Sequence, residues 1–345
     1  LLQEGKPAQA RAALELAVGS GIDEGPLWLL LSNACLALQD PIAALKAIDS
    51  GLLRAPAFAE AHNNRGIILV ELGRISEARQ SFANAVAARP DYIRAWTNLS
   101  GAALQLGDAH QADTAAQRAI ALDATYGLGH LAAGRAAMAL ERYAEAETCF
   151  QQAVRLMPTA VEPLMALAGL FDLRQRAQDA RDILQRAISM APQRPDLWFM
   201  LGNSCMALDD LGAALQAFAQ AQAAWPDSLE VASRAALMLP NILANREHIE
   251  ACRARFAKGL DYLEANLPRL LKSVNESNIS RVLQTNFLLG YHGCTDLALQ
   301  KRSGALVSAT ARHAVGKQLT RIAPRSKRDR IRIGFCSRLF YDSTA

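Results

Sequence analysis

A block of thirty-four residues, repeated in tandem, constrains this chain more than any other feature. Six copies align without an insertion, beginning at Gly25, Ala59, Ile93, Gly127, Val161 and Pro195. The fourth place holds Trp28, His62, Trp96, His130, Leu164 and Trp198. The eighth is always small: Ser32, Gly66, Ser100, Gly134, Ala168, Gly202. The twentieth is Ala in every copy, from Ala44 to Ala214, and the twenty-seventh is Gly51 or Ala. The twenty-fourth is mostly bulky (Ile48, Phe82, Phe150, Leu184, Phe218). Place thirty-two is Pro56, Pro90, Pro158, Pro192 and Pro226, with Ala124 the exception.

Each place has a steric reason. Two helices that cross closely need small residues where their backbones meet, which places eight, twenty and twenty-seven supply. Large side chains at four, seven, eleven and twenty-four fill the space around that contact. Proline lacks an N–H and restricts the residue before it, so it ends the second helix and opens the next repeat. Gly73, Gly107 or an Asp near place fifteen supports the turn between the helices. A chain built this way resembles tetratricopeptide repeats from Gly25 to about Ser228. Residues 1–24 read as the remnant of an earlier repeat, with Gly5, Ala10 and Ala17 at places fifteen, twenty and twenty-seven. The fold implied is all-α: a right-handed superhelical solenoid with a concave inner surface.

With places four, seven, eight and eleven of the first helix committed to packing, places two, five, six and nine are expected to face the concave side. The candidate substrate-binding residues are Asn33, Asn63, Asn64, Thr97, Asn98, Arg135 and Asn203, with Glu60, Arg94, Leu131, Met165, Phe199 and Met200 beside them. The early groove reads as polar and amide-rich, the late groove as apolar and Met-rich. A side-chain amide donates and accepts, so it can pair with the backbone of an extended peptide whatever its sequence, and methionines adapt to varied side chains. His62 and His130 stand where other repeats carry Trp, so they read as packing residues rather than ligands or bases.

Charge is uneven. Lys301, Arg302, Arg312, Lys317, Arg321, Arg325, Lys327, Arg328, Arg330 and Arg332 face a single acid, Asp329, although the whole chain carries only +4. No aromatic residues interleave these charges, so a solvated linker fits better than a nucleic-acid surface. The six cysteines show neither CxxC nor Cys/His spacing. Cys35, Cys149 and Cys205 fall inside amphipathic helices, so buried free thiols in a reducing, cytoplasmic setting follow. No apolar run approaches the roughly 18 residues of a membrane span. His292, Cys294 and Asp296 invite a catalytic or metal reading, but their alternate spacing suits an irregular turn, and no fourth ligand is near. No metal and no bound cofactor are expected in this chain.

Beyond the repeats, Leu229–Leu239 repeats the first-helix pattern, Asn245 is a plausible N-cap, and Ile249, Cys252, Phe256, Leu260 and Leu263 form an apolar helical stripe. The segments MLPNILANREHIEACRARFAKGL, TNFLLGYHGCTDLALQKRSGAL and RIRIGF resemble segments found in this order in bacterial SPINDLY-like relatives of O-linked N-acetylglucosamine transferase. The resemblance implies helical transition at 229–300, a basic helical or linker segment at 301–329, and the start of a catalytic lobe at 330–345. There Ile331, Ile333 and Phe335 alternate as the first strand of an incomplete Rossmann-like lobe. Ser343 stands where the family's loop carries His, so no catalytic residue is assigned in this chain.

The resemblance further implies a parent that transfers N-acetylglucosamine from a uridine-diphosphate (UDP) sugar to Ser or Thr of acceptor proteins. The present chain would then bind acceptors in its groove and be inactive alone. The alternative is a non-enzymatic tetratricopeptide scaffold mediating protein–protein interactions, which Ser343 favours.

Overall fold

The computed structural model describes residues 1, 4–22, 24–275, 278–282, 289 and 292–315. All regular structure among them is helical. The chain separates into two compact units, Leu1–Ala224 and a second beginning at Trp225.

The first unit opens with α1 (Pro7–Gly19), followed by six helix pairs at the period of the sequence. They are α2 (Gly25–Ala37) with α3 (Pro41–Arg54), α4 (Ala59–Glu71) with α5 (Ile75–Ala88), and α6 (Ile93–Gln105) with α7 (Ala109–Leu122). The series continues with α8 (Gly127–Ala139) and α9 (Tyr143–Leu156), α10 (Glu162–Leu173) and α11 (Ala177–Met190), then α12 (Pro195–Ala207) and α13 (Leu211–Ala224). Each helix packs on its successor, and α1 meets α2 as the second helix of an earlier pair would. First helices of neighbouring repeats (α4 and α6, α6 and α8, α8 and α10, α10 and α12) also touch, more than the second helices do. The first helices therefore form the inner wall of the solenoid.

Within a pair, the helices meet where the repeat carries small residues. Phe82, Phe150 and Phe218 at place twenty-four are buried, and each ring packs against the glycine at place eight of its partner helix. Burying such a ring contributes about 1.5–3 kcal/mol. The turn between the helices places its fifteenth residue in the left-handed region in every repeat: Gly73 and Gly107, but also Gln39, Glu141, Gln175 and Asp209 at φ 57–59°. Asp40, Asp108 and Asp210 then cap the second helix, each accepting the N–H three residues on at 3.0 Å.

In the second unit, α14 (Leu229–Leu237) begins at Ser228, whose hydroxyl caps Val231 N–H. Helix α15 (Arg246–Leu270) starts at Asn245, whose Oδ1 accepts from His248 N–H at 2.8 Å, as the sequence suggested. Its stripe of Cys252, Phe256, Leu260 and Leu263 is buried. Gly259 brings α15 onto the carbonyl of Ala236 on α14, where a Cβ would lie 2.3 Å from that oxygen. The short α16 (Ile279–Val282) and α17 (Leu297–Val315) complete the unit. Arg302 on α17 is bound by Glu264 and Asp261 of α15, at 2.7 and 2.6 Å, so this part of the basic stretch is helical and its Arg302 is paired with acids. The strand expected at 330–335, Ser343, and the basic residues beyond Val315 lie outside the described residues.

Candidate functional site

The inner wall is made by the first helices, and four of the candidate amides are joined along it. Asn98 on α6 donates to Asn63 Oδ1 at 2.8 Å; Asn63 donates to Asn64 at 3.4 Å; Asn64 donates to Asn33 on α2 at 3.1 Å. This relay crosses three repeats. Asn63 sits at its centre and is only 1% exposed, so its amide serves its neighbours rather than a ligand. At the two ends, Asn33 keeps its N–H groups and Asn98 its carbonyl oxygen without a partner among the described residues. Those unspent groups are what a peptide backbone could engage.

The other candidates are separate from the relay. Thr97 donates its hydroxyl to Arg94 O at 2.9 Å, leaving only lone pairs to offer. Arg135 on α8 is exposed and forms no ion pair among the described residues. Asn203 on α12 is half-buried, with no hydrogen bond among them.

The late groove is less apolar than the sequence suggested. Arg194, the last residue before α12, reaches Met165 Sδ at 3.0 Å and binds Glu162 at 2.7 Å and Asp196 at 2.6 Å. Counting inner-wall residues only within helices missed it, because the side chain enters from the inter-repeat turn. Phe199 is also committed, tilted on Phe218 with 5.7 Å between ring centroids.

Place four proves to be a staple. Trp96 and Trp198 donate Nε1–H to the carbonyls of Pro90 and Pro192 at 2.9 and 2.8 Å. His62 and His130 put Nε2 on Pro56 O and Ala124 O at 2.7 and 2.9 Å, so Nε2 carries the proton and donates. An imidazole can thus replace an indole here, which gives these histidines a structural part.

Between the second and fourth repeats lies a cavity of about 370 Å³ that sequence reasoning did not anticipate. Thr97, Asn98 and Arg135 line it together with apolar residues, and Gly101 opens its side. The available signal was the glycine at place nine between Ile67 and Arg135.

In the second unit, Asp296 is bound by Arg253, which also donates to Thr295 O at 3.0 Å. His292 is buried, and desolvation, with Arg253 nearby, holds its pKa below the usual value. Cys294 is exposed and donates to His292 O at 3.4 Å. The three side chains do not converge. Among the described residues no three His, Cys, Asp or Glu are placed to hold a metal, and no helix is long and apolar enough to cross a membrane.

Comparison with known proteins agrees with the architecture. No curated protein sequence matches the chain. The solved structure of PilW, a type IV pilus biogenesis factor, shares 22% identity over 59% of this chain and 94% of its own, at TM-score 0.54. The hetero-tetramer Cut9–Hcn1 of the APC/C contributes a chain 15% identical, covering 67% of this chain and 46% of its own, at TM-score 0.58. The pattern described as tetratricopeptide repeat matches residues 29–93, 63–127, 131–195 and 174–228, more than half of the chain. With that match and six helix pairs of the same period, the chain belongs to the tetratricopeptide-repeat family.

Proposed function

We propose that this chain binds extended segments of partner proteins along the inner wall of its first unit. The observation that carries this reading is the amide relay from Asn98 to Asn33, which leaves unspent donor and acceptor groups at its ends, beside the unpaired guanidinium of Arg135. Such groups suit a main chain, which offers one donor and one acceptor per residue. Asn33, Asn64, Thr97, Asn98, Arg135 and Asn203 are the contact residues in this reading, with Asn63 holding the relay in place.

The finer part of the proposal concerns what the binding serves. The resemblance of residues 237–345 to SPINDLY-like relatives of O-linked N-acetylglucosamine transferase supports a parent protein that uses a UDP-sugar donor on Ser or Thr of bound acceptors. The groove then presents acceptors. The parent with Gly25–Ser228 deleted should lose transfer to protein acceptors while retaining donor hydrolysis. Equal loss of both would count against presentation. A non-enzymatic scaffold is the second reading, favoured by Ser343 where that family carries His. It requires the parent to show neither transfer nor donor hydrolysis.

A further inference from the structure

Place nine of the first helix changes abruptly in the middle of the inner wall. It is Ile67 on α4, Gly101 on α6 and Arg135 on α8. A Cβ built on Gly101 would meet nothing within 4 Å. The missing side chain leaves the cavity of about 370 Å³ described above. Its apolar lining comes from Ile67, Phe82, Leu104, Leu128 and Leu131. Ile67 and Leu128 are 38% and 47% exposed, a large share for aliphatic side chains facing one another across a gap.

Two polar features mark the same cavity. Ser100 lines it, and its buried hydroxyl has no partner, whereas Ser32 at the equivalent place donates to Ala44 O at 2.9 Å. Arg135 lines it as well, exposed and without an ion pair among the described residues. Glu162, which lies within its field, is already held by Arg194 at 2.7 Å. The rim therefore carries a guanidinium with no ion-pair partner within reach among the described residues, next to an apolar hollow.

We propose that this cavity receives one bulky apolar side chain of a bound extended peptide, and that Arg135 pairs with an acidic side chain close to it in that peptide. The inference rests on the peptide-binding reading above and adds a sequence preference that an amide relay cannot supply. Main-chain pairing is blind to side chains; a hollow and an adjacent charge are not. An apolar anchor in a desolvated pocket is also where binding energy concentrates.

Fluorescence anisotropy with the full chain tests it. The probes are fluorescein-labelled synthetic peptides of alternating Ala and Ser, with Phe, Leu or Gln at the centre and Glu or Lys two residues later. The Phe and Leu peptides with Glu should bind at least about tenfold tighter than the Gln or Lys versions, the scale on which apolar pockets discriminate. Gly101→Leu should erase the preference for Phe and Leu by filling the hollow. It replaces the poorest non-proline helix former at an unstrained site, so the variant should fold. Gly169→Leu, at place nine of α10 and equally unobstructed, should leave binding unchanged. Arg135→Glu should reverse the Glu-over-Lys preference. If all the peptides bind alike and Gly101→Leu changes nothing, the cavity inference fails while the groove reading stands. If none of the peptides binds, both fail.

Discussion

A methyl group on Gly134 would stand 2.4 Å from Cε1 of Phe150. The same contact recurs at Gly66 with Phe82 and at Gly202 with Phe218, at 2.4 and 2.5 Å. Where place twenty-four is Ile48, Ala116 or Leu184, place eight is Ser32, Ser100 or Ala168 instead. The two places vary together because a ring packed on the partner helix leaves no room for a Cβ. Gly134→Ala should therefore destabilise the first unit. Overpacking costs about 1–3 kcal/mol, and Ala's better helix propensity offsets about 1 of it, so a net loss of up to about 2 kcal/mol is expected in urea unfolding. Adding Phe150→Leu, on the pattern of Ala168 with Leu184, should recover part of that loss. A double variant no more stable than Gly134→Ala alone would show that the ring is not the obstacle.

Glu141 adopts φ 59° in the turn between α8 and α9, the conformation that Gly73 and Gly107 hold in their repeats. A non-glycine residue in the left-handed region costs about 1–2 kcal/mol, while glycine's extra freedom in the unfolded chain returns about 0.4–1 of that. Glu141→Gly should thus raise stability by about 0.5–1 kcal/mol and shift the urea midpoint upward with an unchanged slope. The reverse change, Gly107→Glu, should lower it.

Arg142 on the turn before α9 binds Asp113 on α7, joining the outer helices of neighbouring repeats. Arg176 binds Glu147 one junction later, at 2.9 Å. At three other junctions the polarity is reversed, with Arg11 on Asp40, Arg79 on Asp108 and Arg181 on Asp210 at 3.5–3.9 Å. These are largely surface pairs, so a double-mutant cycle of Arg142→Ala and Asp113→Ala should give a coupling of about 0.2–1 kcal/mol, weaker in high salt. A coupling indistinguishable from zero at low salt would remove the pairs from the account.

Helix spacing, turn positions and the small-against-large contacts were all legible in the sequence, because each repeat solves the same packing problem and the period exposes the solution. What six copies share cannot reveal what one copy does alone. Asn63 shares its place with Thr97 and Leu131, yet only there does an amide find Asn98 and Asn64 in reach. Arg194 acts on the groove from a turn, outside any helical periodicity. Gly101 is visible as a residue, but its cavity depends on the lengths of Ile67, Leu128 and Arg135 in adjacent repeats. Helical wheels show which face a residue shares and not the empty volume between three helices.

Asp172 on α10 faces Ser204 on α12, whose buried hydroxyl lies 2.8 and 3.1 Å from the two carboxylate oxygens. Burial pushes this carboxyl above its ordinary value of 3.8, and the Ser204 hydrogen bond only partly opposes the shift. A carboxyl whose folded pKa is raised binds its proton more tightly in the folded than in the unfolded chain. The stability it contributes is complete below pH 3.8 and is lost as pH rises through the folded pKa. Asn at this position keeps an oxygen for the Ser204 hydroxyl and never ionises. Asp172→Asn should therefore become more stable relative to the wild type as pH rises from the acid side to neutrality. Urea unfolding of both proteins across that interval measures the difference. A stability gap that stays constant, or narrows as pH rises, would mean that Asp172 is not held against its charge.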